Sequence, residues 1–543
     1  MNQNLRMILF ILLLLLVGCN RSETADPGPS AGEATTEPTQ QPALSAPTIL
    51  PEVGSGETVV AAVEAAVEAA VPEPTLFEIS WSNREIFRAG LVASEQAILE
   101  QLPGAPVYHL DLRIEAGQSV VNGRQQLLYT NQENTPLHEI NFHLFPNLLG
   151  GSIQLSNILV NGQDTMPTYE SFNNSQMRLS LPGALRPGEQ VVIQSDFVTT
   201  VPSESGRNYG VFAYLEGILA LAHFYPQVAV YDDEGWNVET PAEAGDVTYA
   251  DAAFYLVRVA APADLVVAAG GIEVDREETA GSQTITFAGG PMRDFYLAAS
   301  GRYERTSQIV GEITVNSYAP PDYALGSANA LGYAIRAIES YSDRFAPYPF
   351  TELDIVTTPT LALGIEYPGI IANRLSMYGS GETTGGTPDQ ILLESTTAHE
   401  VGHQWFYSLV GNDQLDEPWL DEALTQYATY LYYLDQYGQE GAQAFYQSLE
   451  GRWNRVEGND IPIGQPVAAY SGAEYGAIIY GRGPIFFTEL AQTMGQDTFD
   501  DFLRDYTEIH KWGIATTASL KQVAEAHCNC DLTALFESWV YPQ

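Results

Sequence analysis

The sequence has 543 residues, of which 68 are acidic and 23 basic, so its formal net charge at pH 7 is −45. This excess of negative charge argues against binding to nucleic acid or to anionic lipid surfaces, because both require clustered Lys and Arg. The length accommodates two or three domains, and the hydrophobic fraction of 45% is typical of a globular protein.

Residues 1–18 are typical of a secretory signal peptide. Arg6 precedes an apolar run over residues 7–17, which is too short to cross the roughly 30 Å hydrocarbon core of a bilayer as a helix. The run ends in "LVGC", which resembles the lipobox of bacterial lipoproteins. The resemblance implies export and attachment to the bacterial cell envelope through a lipid on Cys19. The alternative is a plain secretory signal with an incidental cysteine.

Residues 19–98 are predicted to form a disordered tether. Up to about residue 75 they are rich in Pro, Thr, Glu, Ser and Ala. Such a composition buries too little apolar surface to offset the entropy of ordering the chain. The tether would hold the folded part of the protein away from the membrane.

Residues 99–306 alternate polar and apolar residues in the manner of β-strands. The stretches "YHLDLRIEAG", "INFHLFPN" and "EQVVIQSDF" are examples. Three dipeptides predict turns between strands: Asn122-Gly123, Asn161-Gly162 and Pro187-Gly188. Because no strong helical periodicity interrupts this pattern, we expect an N-terminal antiparallel β-sandwich domain.

Residues 307–543 are predicted to form an α/β domain that becomes mostly helical towards its C-terminal end. The stretch "ANALGYAIRAIESYSDRF" has apolar residues at helical spacing. A second helix is predicted with Thr387 as its N-cap, Pro388 at its first position and Gln390 completing a capping box. Pro418 predicts the start of a third helix.

Cys528 and Cys530 form a C-x-C pair and are the only cysteines besides Cys19. Two residues do not make a disulfide scaffold, and no second cysteine pair completes a zinc site. The sequence leaves open a disulfide, a reduced pair and a weak metal site, and we interpret the pair as structural or incidental.

His399 and His403 are two of only eight histidines, and Glu400 follows the first directly. Side chains four residues apart on a helix project from one face, so both imidazoles can bind one Zn²⁺ with Glu400 within reach of a water. Eighteen residues separate His403 from Glu422, a third candidate ligand on another helix. Two histidines and one carboxylate leave a coordination position open, which indicates catalysis. The alternative is a pair of hydrogen-bonded histidines on a buried helix.

The HExxH pattern followed by eighteen residues and a glutamate resembles the gluzincin aminopeptidases, the family of aminopeptidase N and leukotriene hydrolase. The flanking "WLDEALTQY" is similar to the family's W-L-N-E-G-x-A-x-Y, with Asp421 for Asn and Ala423 for Gly. Upstream, "LGIEYPG" is similar to the family's G-x-M-E-N strand, with Gly364 and Glu366 at matching positions. Downstream, "YGRGP" is similar to Y-x-K-G, with Tyr480 at the tyrosine.

The resemblance implies a zinc-dependent aminopeptidase in which a β domain precedes a thermolysin-like catalytic domain, over roughly residues 100–543. It implies one Zn²⁺ per chain and peptide substrates with a free N-terminus. Glu400 would move the proton, Tyr480 would donate to the oxyanion, and Glu366 would bind the substrate's α-ammonium. Three neighbours of Glu366 are implied to bind substrate: Gly364, Ile365 and Tyr367.

The chain departs from the family pattern at several positions. Leu363, Ile365 and Tyr367 replace the usual Gly, Met and Asn, so the first specificity pocket is expected to be reshaped. Arg482 replaces the usual lysine. The glutamine that often helps to bind the substrate amine has no clear match, and Glu216 is the substitute candidate. Most of the family's large C-terminal helical domain is expected to be missing.

Other function classes remain open at this point. A thermolysin-type endopeptidase would cleave N-blocked peptides, but that family usually places its third ligand one residue further on. An inactive cell-surface binding protein would usually have lost a ligand or the general base, and this chain keeps all of them. The residues alone also leave open an epoxide-opening side activity.

Overall fold

The computed structural model describes residues 75–542, apart from 206–208, 243, 380, 382 and 385–386. The predicted signal peptide, the lipidation site Cys19 and the tether up to residue 74 lie outside the described residues. Within the described part of the chain, no helix is both long enough and apolar enough to cross a membrane.

The prediction of a disordered tether is wrong for residues 75–98. These residues form the 3₁₀ helices Thr75–Glu78 and Glu85–Gly90, and a short α-helix follows at Ile98–Gln101. Four apolar side chains of this segment are almost fully buried: Leu76, Phe87, Leu91 and Leu99. They join the core that the helices of the C-terminal domain also share, so the burial of apolar surface offsets the entropy of ordering the segment.

The N-terminal domain is built on an eight-stranded sheet. In chain order its strands are Val107–Ile114, Val120–Thr130, Ser152–Val160, Gln163–Asp164, Gln190–Thr200, Ala253–Pro262, Ile272–Thr279 and Ser282–Met292. Neighbouring strands are antiparallel except for one pair, because Val107–Ile114 runs parallel to Ala253–Pro262. The prediction of an antiparallel β domain therefore holds for this sheet except for one parallel pair. The two parallel strands are far apart in sequence and are not joined by a hairpin.

Two four-stranded sheets and one hairpin complete the β domain. One sheet has the order Val266–Ala269, Leu297–Ser300, Ile218–Leu221, Phe212–Leu215, and the other has the order Gln227–Val228, Leu137–His143, Gln176–Leu185, Thr168–Glu170. The hairpin pairs Tyr231–Asp232 with Gly235–Trp236. Buried residues from the three larger sheets form one hydrophobic core, so the N-terminal unit is a multi-sheet β domain, as predicted.

The three predicted turns have different outcomes. Asn161 and Gly162 have φ angles of 50° and 75°, and Gly188 has a φ of 80°, as turn residues do. Asn122-Gly123 instead lies inside the strand Val120–Thr130, so this turn prediction is wrong. A Cβ at Gly123 would collide with the ring of Phe197 on the neighbouring strand, so the glycine makes room for cross-strand packing.

The C-terminal domain, which is the predicted catalytic domain, begins with a five-stranded mixed sheet. Its strands lie in the order Glu304–Val310, Ile313–Ala319, Glu352–Thr358, Ile370–Arg374, Gly364–Tyr367. The predicted domain boundary between residues 306 and 307 falls inside the first of these strands. Gly364–Tyr367, which we call the edge strand, pairs with Ile370–Arg374 alone and is antiparallel to it.

Helices pack against this sheet and make up most of the rest of the domain. They are Ala324–Arg344, Asp389–Gly402 (the histidine helix), Glu422–Trp453 (the glutamate helix, kinked at Gly438), Gly472–Ala477, Gly483–Met494, Gln496–His510, Thr517–Cys528 and Thr533–Trp539, with a π-helical turn at Ile478–Arg482. Cys528 and Cys530 are joined in a disulfide.

Both predicted helix starts near the candidate site are wrong in detail. Thr387 and Pro388 form a short ladder with Thr383–Thr384, and the histidine helix begins only at Asp389. The amide of Gln390 donates to the hydroxyl of Tyr333 (3.4 Å) instead of closing a capping box. Pro418 lies in a turn ahead of the glutamate helix, so Glu422 is that helix's first residue rather than one turn inside it.

Candidate active site

The histidine helix and the glutamate helix bring three donor side chains together. His399 Nε2 lies 3.1 Å from Glu422 Oε2 and 3.2 Å from His403 Nε2, and His403 Nε2 lies 3.4 Å from Glu422 Oε2. All three side chains are buried. His399 is in the last turn of the histidine helix and Glu422 opens the glutamate helix, so the end of one helix meets the start of the next.

The surroundings act differently on the two imidazoles. His403 Nδ1 lies 3.0 Å from the carbonyl oxygen of Phe406, which can only accept, so Nδ1 donates to it and Nε2 faces the other donors. Burial lowers the pKa of His403, but the nearby carboxylates of Glu366 and Glu422 outweigh this effect and raise that pKa well above its usual value; a metal ion at Nε2 would take the place of the proton there. Burial lowers the pKa of His399 to about 4, which keeps this imidazole neutral near pH 7.

The donor set fits a tetrahedral zinc ion. With bonds of about 2.0–2.1 Å, tetrahedral zinc ligands lie about 3.3–3.4 Å from one another, close to the 3.1, 3.2 and 3.4 Å separations of these donors. Burial raises the pKa of Glu422, but hydrogen bonds with His399 and His403 outweigh this effect and bring it well below its usual value. The carboxylate is therefore ionised, and the three ligands leave one coordination position open.

Glu400 lies between the donor set and the edge strand. Its Oε2 atom is buried and has no hydrogen-bond partner among the described residues. Burial and the nearby charge of Glu366 raise the pKa of Glu400 well above its usual range. A Cβ at Gly364 would lie 2.6 Å from the carboxylate carbon of Glu400. The glycine of the edge strand therefore provides the space that this carboxylate occupies.

Glu366 occupies the same face of the edge strand, two residues beyond Gly364. Its side chain is buried, and donor atoms of Glu366, Glu400 and His403 lie within 4.8 Å of one another. Gln414 Nε2 donates to Glu366 Oε1 (3.2 Å) and to Asp421 Oδ2 (2.7 Å), so one amide fixes two carboxylates. Burial, with a contribution from Asp246, raises the pKa of Glu366 well above its usual value.

Tyr480 reaches the same cluster from the π-helical turn. Its hydroxyl donates to Glu422 Oε1, the oxygen that does not face the histidines. Its ring centre lies 6.1 Å from that of His399. Tyr480 therefore lies at the predicted site, and in this structure its hydroxyl binds Glu422, a candidate zinc ligand.

Four other candidates lie away from the donor set. The ring of Tyr367 stacks on Tyr296 at 4.0 Å, and Ile365 packs beside the same apolar cluster, so neither side chain joins Glu366. Glu216 is exposed at a hairpin turn, and its carbonyl accepts from Arg302. Arg482 is buried and donates to the carbonyl oxygens of residues 461, 538 and 539, which makes it a structural residue.

Three residues of the site escaped sequence reasoning, because no short motif marks them. Gln414 links Glu366 to Asp421, as described above. Gln404 donates to the carbonyl of Tyr367 (3.0 Å) and accepts from the amide of Gly369 (2.9 Å), so it ties the edge strand to the segment after His403. Asp246 belongs to the β domain, and burial together with Glu422 and Asp421 raises its pKa well above the usual range.

Comparison with known proteins finds similarity over the part of the chain that contains this site. Residues 329–539 match the family described as the Peptidase family M1 domain. The chain is 24% identical over 299 residues to Aminopeptidase M1 of Arabidopsis thaliana, covering 53% of this chain and 34% of that protein. It is 25% identical over 292 residues to Aminopeptidase N of Lactococcus lactis subsp. lactis, covering 49% of this chain and 32% of that protein.

The chain therefore spans only about a third of the length of these curated relatives. A solved structure, the M1 zinc metallopeptidase of Deinococcus radiodurans, has a similar fold, with a TM-score of 0.61 and 21% identity over 81% of this chain and 95% of that one. A mutant of that protein has been solved with a Tyr-Ser-Ala substrate. The M1 match and the HExxH–Glu donor set thus lie in the same part of the chain, and this part is similar to the M1 aminopeptidases.

Proposed function

We propose that this protein is a zinc-dependent aminopeptidase that removes single residues from the free N-terminus of peptides. The observation that carries the proposal is the buried carboxylate of Glu366 beside the donor set. His403, Glu400 and Glu366 offer donor atoms within 4.8 Å of one another. In an N-terminal residue the amine nitrogen and the carbonyl carbon are about 2.5 Å apart. If Glu366 binds the α-ammonium of the substrate, the first peptide bond of that substrate therefore lies beside Glu400.

His399, His403 and Glu422 would hold the zinc ion. When bound, zinc acts as a Lewis acid that lowers the pKa of water and polarises a carbonyl group. Burial and the charge of Glu366 raise the pKa of Glu400, and the positive charge of zinc, when bound, would counter this and favour the ionised carboxylate. Glu400, whose Oε2 atom faces no protein donor among the described residues, would then take a proton from the attacking water and pass it to the leaving amine. Tyr480 stabilises the oxyanion once its hydroxyl turns from Glu422 towards the substrate oxygen.

The edge strand would hold the peptide. Among the described residues no strand pairs with its outer side, so this side can hydrogen-bond an extended substrate. A substrate antiparallel to the edge strand, with its amine at Glu366, continues past Gly364 towards Leu363. Its second and third residues then meet two exposed leucines, Leu361 and Leu363.

The test compares aminoacyl-nitroanilides with their N-acetylated forms, using purified protein whose zinc content is measured. We expect cleavage of the free-amine substrates alone. Glu400→Gln should reduce kcat by at least about 10²-fold with zinc retained, and Glu366→Gln should weaken selection for the free amine. Glu216→Gln, at an exposed hairpin turn, is the matched control. Equal cleavage of both substrate forms would instead identify an endopeptidase.

We further propose that the protein is exported and anchored to the cell envelope by a lipid on Cys19. The support is the sequence of residues 1–19 alone. In a bacterial host, the wild-type chain should enter the membrane fraction and incorporate labelled fatty acid, while Cys19→Ala should do neither. Membrane association of the Cys19→Ala variant without label would contradict the lipid anchor.

A further inference from the structure

The loop after the second histidine contains a backbone conformation that needs outside support. Tyr407 has a φ angle of 132°, which residues with a Cβ rarely adopt. Such a conformation costs on the order of 1–3 kcal/mol and persists only where the surroundings fix it. Tyr407 is also buried, so the strain lies inside the protein next to the donor set.

The φ angle of Tyr407 sets the direction of the peptide group that joins it to Phe406. The carbonyl of this peptide accepts the hydrogen bond from His403 Nδ1 (3.0 Å), and its N–H donates to the carbonyl of Val410 (2.9 Å). The rotation at Tyr407 therefore aims the acceptor that fixes both the proton and the ring orientation of His403.

Two consecutive residues of the β domain hold Tyr407 from both sides. Arg293 Nε donates to the carbonyl of Tyr407 (2.6 Å), and the hydroxyl of Tyr407 donates to Asp294 Oδ2 (3.0 Å). Arg293 is 1% exposed and Asp294 is 2% exposed, so water does not compete for these bonds. The backbone and the side chain of Tyr407 are thus fixed to the same short segment.

Arg293 also fastens the loop to two other segments. Its guanidinium donates to the carbonyls of Ala250 (3.0 Å) and Gly513 (2.6 Å). A Cβ at Gly411 would collide with this guanidinium, so the loop is shaped to receive it. On the β-domain side, the carbonyl of Arg293 accepts from Tyr255 at 3.4 Å.

We propose that Arg293 and Asp294 of the β domain are positioning residues for the metal ligand His403, acting through the strained peptide at Tyr407. This inference rests on the proposed zinc site and goes beyond it, because it makes zinc affinity depend on a contact between the two domains. Neither residue is one of the three donors. Both contact Tyr407, and the peptide group before Tyr407 carries the Phe406 carbonyl that faces His403 Nδ1.

The test measures the zinc dissociation constant by competition with a chelator, together with the thermal unfolding temperature. Tyr407→Phe removes only the hydroxyl that binds Asp294, and we expect it to weaken zinc binding by about 10- to 100-fold. Asp294→Asn keeps an acceptor for the hydroxyl and should bind zinc close to the wild-type level. Tyr303→Phe is the matched control. It also removes a buried tyrosine hydroxyl, but this one donates to the carbonyl oxygen of Thr357 (2.7 Å) on a different segment.

A second pair of variants isolates the backbone strain. Tyr407→Ala and Tyr407→Gly both remove the ring, but only glycine adopts a φ of 132° freely. Tyr407→Gly should therefore bind zinc more tightly than Tyr407→Ala. Wild-type zinc affinity in folded Tyr407→Phe and Tyr407→Ala would overturn the inference, as would an equal loss in Tyr303→Phe. Failure of the wild-type protein to bind zinc would instead refute the metal centre itself.

Discussion

At the scale of single residues, the candidate site depends on close fits between small and charged side chains. Glu400 has its place because residue 364 is a glycine, and Glu366 is fixed by one amide group of Gln414. Because the carboxylates are buried and close together, a small displacement changes both their geometry and their pKa values.

Replacing Gly364 with alanine should impair Glu400 and leave the metal ligands in place. The new methyl group would lie 2.6 Å from the carboxylate carbon of Glu400, so this side chain must turn away. A catalytic group displaced by about 1 Å typically costs about 10²-fold in rate. We expect a loss of kcat of that size with unchanged zinc content, measured by steady-state kinetics and metal analysis.

Gly183→Ala provides the control, because a Cβ at this position meets no atom within 4 Å. It should leave both kcat and zinc content unchanged. Full activity in Gly364→Ala would mean that Glu400 does not need its observed position.

At the scale of elements, helix ends rather than helix centres form the donor set. His403 comes directly after the last residue of the histidine helix, and Glu422 is the first residue of the glutamate helix, capped by the side chain of Asp421. The backbone can therefore turn sharply on both sides of the site. This leaves room for the loop that supports His403 and for the turn that carries Gln414.

The N-terminal segment is a structural element of the folded protein, and Phe87 tests this. Phe87 is 2% exposed and packs against Phe254 with ring centres 5.0 Å apart. Phe87→Ala should lower the free energy of unfolding by about 3–5 kcal/mol, because it removes buried apolar surface and leaves a cavity. Denaturant-induced unfolding measures this change.

Asn83→Ala, at an exposed position in the same segment, should change the stability by no more than about 0.5 kcal/mol. If Phe87→Ala were equally neutral, the segment would not be part of the core.

At the scale of the whole molecule, the β domain and the catalytic domain jointly form the site. Arg293 and Asp294 reach the loop after His403, and Asp246 lies among the carboxylates of the site.

Buried titratable groups are also spread through the β domain. Burial lowers the pKa of His109, His143 and His223 to about 4, so these histidines stay neutral in the folded protein.

Acid should therefore destabilise the fold through its buried histidines, and His109 allows one of them to be measured. Its folded pKa of about 4 lies below the unfolded value of about 6.5, so below pH 6.5 the unfolded chain takes up a proton that the folded chain does not. At pH 5 this histidine alone lowers the free energy of unfolding by about 2 kcal/mol.

His109→Phe keeps a ring that can stack on Trp81, where the centres are now 4.2 Å apart. Between pH 7.5 and pH 5, this variant should lose about 2 kcal/mol less stability than the wild type. Because the two pH values are compared within each protein, any change in the free energy of unfolding that the substitution causes equally at both pH values cancels. An identical pH dependence in the two proteins would show that His109 is protonated in the fold.

The sequence predicted the order of the domains and the main members of the site. Period-two alternation identified the β domain, and the spacing of His399, His403 and Glu422 identified the donor set, which the structure brings together. The details that failed depend on contacts between distant residues. The sequence predicts a turn at Gly123, but this glycine makes room for the ring of Phe197 on another strand. It predicts a helix cap at Thr387, but this residue pairs with Thr384 in a short ladder.

What the sequence by itself determined is the chemistry: which residue types are present, and that their spacing suits one metal ion and a nearby base. Local spacing carries this information because residues in one helix have a fixed relative geometry. Only the tertiary structure decided which groups orient that chemistry. Gln414, Asp246, Arg293 and Asp294 come from other segments and act by hydrogen bonds or charge, so they leave no periodic trace along the chain. Folding alone brings them to the histidines.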